Sequence, residues 1–271
     1  MTPTPAAAPK PAAAPKPAAD RPVGKPPFTA VVLAAGLGKR MNSDLPKVLH
    51  PALGRPLLLH VLGQLDPLKP KVTVVVVGHR AALVREALKG RDVVFAEQVP
   101  QLGTGHAVQM AWSAIESGPA TLLVLAGDMP LTRTATLQRL LERHGREGNA
   151  VTFLSGVLDD PTGYGRVIRD AGEEFVRIVE HKDASPAERA VAEVNSGIYC
   201  FARDPLREAL GFLRPDNRQE EYYLTDTLSF IKGRGGRIGV ERASDSRELF
   251  GVNTPDQLAM VEETLRAWGR S

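Results

Sequence analysis

The sequence predicts an α/β fold: a doubly wound, mostly parallel sheet carrying a small antiparallel insertion. Three observations lead to it. Short apolar runs alternate with stretches of helical spacing from Phe28 to Gly145, the order that lays helices on both faces of a sheet. The run Lys71–Val77 is almost wholly β-branched, as expected of a strand covered on both faces. From Ala150 onward, strand-like segments separated by turn residues succeed one another, which favours antiparallel pairing.

Each element has its own signal. Phe28–Ala34 reads as the first strand, an unbroken apolar run leading into a glycine loop, and Leu57–Leu65 has the spacing of a helix. Lys71–Val77 is the second strand, Ala81–Lys89 a helix, Val93–Glu97 a short strand and His106–Glu116 a helix. Thr121–Ala126 is a further buried strand, succeeded by a helix over Thr134–Gly145. Val151–Val157, Gly165–Arg169, Glu174–Glu180 and Glu193–Phe201 supply the antiparallel pairing. Helices resume at Asp204–Leu213 and Tyr223–Ile231, then a strand at Arg237–Glu241 and a closing helix over Pro255–Ala267. No linker between Thr29 and Ser271 is long enough to divide the chain. The expected organisation is therefore a tail, residues 1–27, and a single domain, residues 28–271.

Residues 1–27 differ in composition from the rest. Pro-Ala-Ala-Ala-Pro-Lys occurs at residues 5–10 and again at 11–16. Frequent proline forbids helix, and alanine offers too little apolar surface to offset ordering entropy. An extended, disordered, polyproline-like tail is expected, without the continuous apolar core of a secretory signal. Its Lys10, Lys16, Arg21 and Lys25 against Asp20 account for the whole formal charge of +3, which leaves the domain close to neutral. Charge thus gives no ground for a nucleic-acid-binding face. No apolar run approaches the roughly 20 residues that span a bilayer, so no membrane association is expected. The lone Cys200 sits in an apolar run and has no partner for an intrachain disulfide, which points to a reducing cytoplasm.

The first strand opens into Leu33-Ala34-Ala35-Gly36-Leu37-Gly38-Lys39-Arg40-Met41, then Asp44-Leu45-Pro46-Lys47-Val48-Leu49-His50. Residues without Cβ let backbone N–H groups approach a polyphosphate, and Arg40 and Lys47 add cations at the same end of the sheet. The implied ligand is a nucleoside triphosphate. The dinucleotide fingerprint does not fit, because Met41 stands where it needs a third glycine. A P-loop does not fit either, because Gly38-Lys39 is followed by Arg40.

Ligands of open α/β sheets sit beyond the carboxyl ends of the strands. The glycine loop, Gln98–Gly105 and Gly127-Asp128 all fall there. Asp128 suits two roles: a hard oxygen ligand for Mg2+, or the cap of a helix beginning near Leu131. Gln101-Leu102-Gly103-Thr104-Gly105-His106 is a backbone-exposing turn or an ordinary helix entry. Asp159-Asp160-Pro161-Thr162-Gly163-Tyr164-Gly165-Arg166 suits a hairpin or close approach to a sugar, with Glu180 and Asn195 on bordering strands. The six histidines show no H-E-x-x-H spacing, which disfavours catalytic zinc. No Gly-x-Ser-x-Gly elbow is present, which disfavours an acyl-transfer serine.

Taken together, these segments resemble the uridylyltransferase domain of the bacterial bifunctional N-acetylglucosamine-1-phosphate uridylyltransferase/glucosamine-1-phosphate acetyltransferases. The matches run from Val32 to Asn253. They include Pro46–His50, Gln101–Ala107, Asp159–Arg166, Ile178-Val179-Glu180-His181-Lys182-Asp183, Glu221-Tyr222-Tyr223-Leu224-Thr225-Asp226 and Gly251-Val252-Asn253. The resemblance implies a Rossmann-like nucleotidyltransferase sheet whose antiparallel insertion serves the sugar. It implies that Leu33, Ala34, Ala35, Gly36 and Gly38 line the nucleotide, with Arg40 and Lys47 on its phosphates. Gln98, Gly103 and Thr104 would read the uracil side, Asp128 and Asn253 would hold Mg2+, and Gly165, Glu180 and Asn195 would contact the sugar.

The implied reaction is transfer of UMP from UTP to N-acetylglucosamine-1-phosphate. The rivals are another sugar- or polyol-phosphate nucleotidyltransferase and a non-catalytic nucleotide-sugar sensor. Two departures from the family stand out. The hexapeptide repeats of its acetyltransferase half do not occur in this sequence, so acetyltransferase activity is not expected and a monomer is plausible. Ala126 also replaces an aromatic residue often found two positions before the metal aspartate.

Overall fold

The computed structural model describes residues 24–36 and 38–270. The expected tail lies outside the described residues up to residue 23. At its described end, Lys25 donates to the Leu68 carbonyl and its ammonium lies 5.3 Å from the centre of the Phe28 ring.

In chain order the elements are β1 (Phe28–Leu33), a minimal hairpin of β2 (Pro51–Ala52) and β3 (Arg55–Pro56), α1 (Leu57–Leu65), β4 (Val72–Val77), α2 (Ala81–Ala87) and β5 (Val94–Glu97). Next come α3 (Thr104–Met110), α4 (Trp112–Ile115), β6 (Thr121–Ala126), α5 (Thr134–Glu147) and β7 (Val151–Val157). The remainder comprises β8 (Arg166–Arg169), β9 (Phe175–Val179), α6 (Pro186–Arg189), β10 (Glu193–Ala202), α7 (Arg203–Leu210), α8 (Asp226–Gly233), β11 (Ile238–Arg242) and α9 (Pro255–Ala267).

The main sheet runs β11-β7-β10-β6-β1-β4-β5. Its pairs are parallel except on either side of β10, which runs antiparallel to both β6 and β7. Strands β7 and β10 therefore belong to the sheet itself. The β8–β9 hairpin is the inserted part, joined to β10 through Arg166 and Val194.

Alternation along each strand divides the core into two layers. Val31, Val76, Leu122 and Phe201 face α3, α7 and α8, while Ala30, Val32, Val75, Leu123 and Cys200 face α1, α2 and α5. In α5, Leu137, Leu140, Leu141 and His144 form the buried stripe, and Gly148 ends the helix in the left-handed region at φ 63°. The helix expected over His106–Glu116 is instead two, broken at Ala111, whose N–H is shared between the Ala107 and Val108 carbonyls. A smaller core of Met41, Ala52, Leu57, Leu131, Val252, Val261 and Leu265 fastens α9 beside the start of α1. That packing brings the last part of the chain to the site.

Candidate active site at the carboxyl edge of the sheet

The central strands end level with one another. Leu33 pairs with both Val76 and Ala126, and Val77 pairs with Glu97. Ala34, Gly78, Gln98 and Gly127 are consequently the first residues past one edge. The loops are tied there by Ala34 N donating to Val76 O and Gly127 N to Leu33 O, both at 2.8 Å. Gly36 is exposed while Ala34 and Ala35 are buried. Gly38, at φ 60°, turns the chain into the 3-10 turn Lys39–Met41, and Arg40 is exposed on that turn.

Lys47 begins a second 3-10 turn, anchored by buried Val48 and Leu49. A Cβ on Gly38 would lie 2.8 Å from Lys47 Cβ, so the glycine admits the lysine stem. The Lys47 ammonium forms an ion pair with Asp128 Oδ2 and donates to Asn253 Oδ1 at 2.9 Å. Asp128 follows β6 through Gly127, and its carbonyl accepts from Val252 N at 3.0 Å, which draws residues 251–253 alongside. Asn253 N donates to Gln257 Oε1 at 2.7 Å at the start of α9.

Asp128 caps no helix. Helix α5 starts only at Thr134, and the Arg133 and Thr134 amides donate to Glu248 Oε2 and Gln64 Oε1, both at 3.0 Å. The residues fit a divalent ion, since a carboxylate and an amide oxygen converge on one cationic atom. Two hard oxygen donors suit Mg2+, which keeps several waters and takes few protein ligands. Among the described residues no group of three His, Cys, Asp or Glu side chains offers a different metal centre.

Residues 98–105 are clamped against residues 221–224. Gly105 N donates to Tyr222 O at 2.7 Å, Tyr222 N to Leu102 O at 2.8 Å, and Leu224 N to Thr104 Oγ1 at 3.0 Å. Gly103 stands at φ 106°, where a Cβ would meet Tyr222 O at 2.7 Å. Its lack of a side chain therefore serves the chain's own backbone. Gln98 is buried, with Nε2 donating to Gly103 O at 2.9 Å and lying 3.2 Å from His106 Nδ1. Gly78 went unnoticed in the sequence. A Cβ there would come within 2.7 Å of Gln101 Nε2 and 2.9 Å of Ala35 Cβ, and its only signal was a glycine closing a valine run.

Gly165 and Glu180, at the two ends of the β8–β9 hairpin, meet Asn195 of β10. Asn195 N donates to Gly165 O at 2.8 Å, and a Cβ on Gly165 would lie 3.4 Å from each Glu180 carboxylate oxygen. Burial raises the Glu180 pKa, and the Asp226, Asp183 and Glu221 carboxylates push the same way against a hydrogen bond from Thr225. That bond, Thr225 Oγ1 to Glu180 Oε1, is 3.1 Å long. Asn195 Oδ1 accepts from Gly197 N at 3.2 Å, which fixes the amide orientation, and Nδ2 then donates to the buried Tyr199 hydroxyl at 2.6 Å. Thr225, which the sequence offers only as part of a matched segment, and Tyr199, for which it gives no signal, thus support Glu180 and Asn195 of the candidate site.

The two sides meet. The segment that clamps Gly103 continues directly into Thr225, and Tyr164, whose pKa burial raises, packs on the same Leu158–Val194–Leu249 cluster as Phe250, next to residues 251–253. By contrast, a surface cleft of about 650 Å³ lined by Arg143, Arg169, Lys232 and Arg237 near β11 shares no residue with this set.

These features place the chain among nucleotide-handling α/β proteins. More particularly, it belongs to the MobA-like NTP transferase domain family, which it matches over residues 30–207. It is 53% identical over 232 residues to the bifunctional protein GlmU of Cupriavidus necator, covering 86% of this chain and 50% of that protein. The figure is 50% over 245 residues for bifunctional protein GlmU of Bordetella parapertussis, covering 89% and 52%. The chain thus spans about half the length of these relatives. In fold it is similar to a UDP-glucose pyrophosphorylase complexed with UDP-glucose, at TM-score 0.73 and 16% identity over 89% of this chain and 99% of that one. It is also similar to a putative glucose-1-phosphate thymidylyltransferase from Bacillus anthracis, at TM-score 0.71 and 18% identity over 88% and 95%.

Proposed function

We propose that the protein transfers UMP from UTP to N-acetylglucosamine-1-phosphate, yielding UDP-N-acetylglucosamine and pyrophosphate. One observation carries the reading: Lys47, Asp128 and Asn253 converge at the edge where the glycine turn ends, and Tyr164, the residue before Gly165, packs on the same apolar cluster as Phe250, three residues before Asn253, which sets the Gly165, Glu180 and Asn195 group beside them. A phosphate-handling group and a polar sugar-sized group therefore share one rim. The half-length relationship to GlmU proteins supports sugar-phosphate uridylyl transfer.

In this reading, the backbone of residues 33–36 and Gly38 lines the nucleotide, and residues 98–104 face the base. Arg40 and Lys47 hold the phosphates, so that the α-phosphorus is presented to the sugar phosphate. A sugar-phosphate oxygen attacks in line and pyrophosphate leaves. No general base is required, because a phosphate monoester is already anionic at neutral pH. Asp128 and Asn253 would hold Mg2+, which supplies neutralisation of charge on the phosphate oxygens. Glu180, Asn195 and the Gly165 backbone orient the sugar. The lone Cys200 supports a reducing cytoplasm as the compartment of this reaction.

Pyrophosphate release tests this. The purified chain is given each of UTP, CTP, dTTP and ATP with N-acetylglucosamine-1-phosphate, and then UTP with a series of sugar-1-phosphates. UTP with the N-acetylated amino sugar should be the preferred pair. Preference for CTP or dTTP, or absence of release with every pair, overturns the proposal.

A further inference from the structure

We infer that Lys47 is a displaceable counter-cation, which holds the Asp128–Asn253 oxygen pair until a polyphosphate draws its ammonium away and a divalent metal takes the pair. Metal and nucleotide would then bind cooperatively through one side chain. The inference rests on the proposed function, since it takes the metal and the triphosphate from that reading.

Four observations lead to it. The Lys47 ammonium touches both oxygens that the metal would use, and two cations cannot share one pair of acceptors at contact distance. The backbones that carry these oxygens are held by bonds independent of Lys47: Val252 N to the Asp128 carbonyl, and Asn253 N to Gln257 Oε1. Removing the lysine thus leaves both residues side by side. Among the described residues no other cationic side chain forms an ion pair with Asp128. Finally, the Lys47 stem is pinned beneath Gly38 in the phosphate-facing turn. Its backbone stays fixed while the flexible four-carbon arm moves its charge from one acceptor set to the other.

A polyphosphate offers the ammonium more negative charge than one carboxylate. When Lys47 turns to it, the vacated carboxylate favours the divalent ion, and the ion in turn favours the nucleotide. By linkage, each ligand must then raise the affinity of the other by the same factor.

The test uses Mn2+ as the probe, titrated into the full chain by electron paramagnetic resonance, with and without α,β-imido-UTP. Wild type is compared with Lys47→Met, Lys47→Arg, Arg40→Met and Asp128→Asn, each checked for fold by circular dichroism. Without nucleotide, Lys47→Met should bind Mn2+ on the order of tenfold more tightly than wild type, with Lys47→Ala as a second variant should Met fold poorly. Lys47→Arg should stay near wild type. The nucleotide should strengthen Mn2+ binding to wild type by about ten- to a hundredfold, within the usual coupling range, and strengthen it much less in Lys47→Met.

The inference is overturned if removal of Lys47 leaves nucleotide-free Mn2+ affinity unchanged or weaker. It is also overturned if Arg40→Met raises that affinity equally, because general charge then explains the effect. Asp128→Asn separates the two levels. If this variant binds Mn2+ like wild type, the metal assignment in the proposed function fails. If it loses Mn2+ while Lys47→Met matches wild type, only the counter-cation fails.

Discussion

Gly38 makes room for Lys47: a methyl group on the glycine would come within 2.8 Å of the lysine Cβ and 3.4 Å of its backbone nitrogen. The glycine also occupies the left-handed region, at φ 60°. Spacing in the sequence ties this glycine to phosphate approach, and the structure adds a packing duty toward the lysine.

Gly38→Ala is therefore expected to act twice. Backbone strain should lower stability by about 1–2 kcal/mol, read from urea unfolding. Displacement of Lys47 should lower kcat/KM for UTP on the order of a hundredfold, the size of effect that a misplacement of about 1 Å produces. A fully active Gly38→Ala would show that Lys47 is not positioned through this contact.

Asp128→Ala removes one of the two oxygens facing Lys47 and ends no helix, since α5 begins at Thr134. Metal-dependent pyrophosphate release should fall by roughly a thousandfold or more, in line with the loss of a charge-stabilising group. The circular dichroism spectrum should not change. Turnover that survives the substitution would remove Asp128 from the chemistry.

Glu180 links pH to stability. Its folded pKa is raised above the ordinary glutamate value of 4.5 by burial and by Asp226, Asp183 and Glu221. The native state thus holds this proton more tightly than the unfolded chain. The associated stability is fully present below the ordinary value and is lost as pH rises through the raised one. Urea unfolding of wild type and Glu180→Gln across pH 4 to 8 should show similar stabilities at the acid end and a growing advantage for the variant above it. Parallel curves would mean that Glu180 ionises without penalty.

Tyr199→Phe deletes the hydroxyl that accepts from Asn195 Nδ2. The loss of one buried hydrogen bond should cost about 1 kcal/mol. The KM for the sugar phosphate should rise about tenfold, while that for UTP stays within about twofold, because the freed carboxamide borders only the insertion. Equal changes in both constants would argue for a general structural role.

Local burial made much of the fold legible. Helix α1 coincides with its apolar stripe, and β6 with its aliphatic run, because both are buried almost end to end. The membership of β10 in the main sheet was not legible, since a strand does not announce which neighbours it pairs with. The site divides in the same way. Residue types and loop positions pointed to the carboxyl edge, but Lys47 and its partner Asn253 are 206 positions apart. Gly103 is legible as a backbone-exposing residue, but what approaches it is the carbonyl of Tyr222, which no local pattern reveals. The helix-cap role that the sequence leaves open to Asp128 is excluded by where α5 begins, and that start is set by Glu248 and Gln64.

The docking of residues 251–253 beside Asp128 has a consequence for folding. Every strand of the main sheet precedes Asn253 in the chain, so strand pairing does not by itself create the oxygen pair. Asn253 Oδ1 comes opposite Lys47 only when residues 251–253 dock against Asp128 and α9 packs. A partly folded molecule whose sheet has formed thus carries the glycine turn and the lysine, but not the second oxygen opposite them.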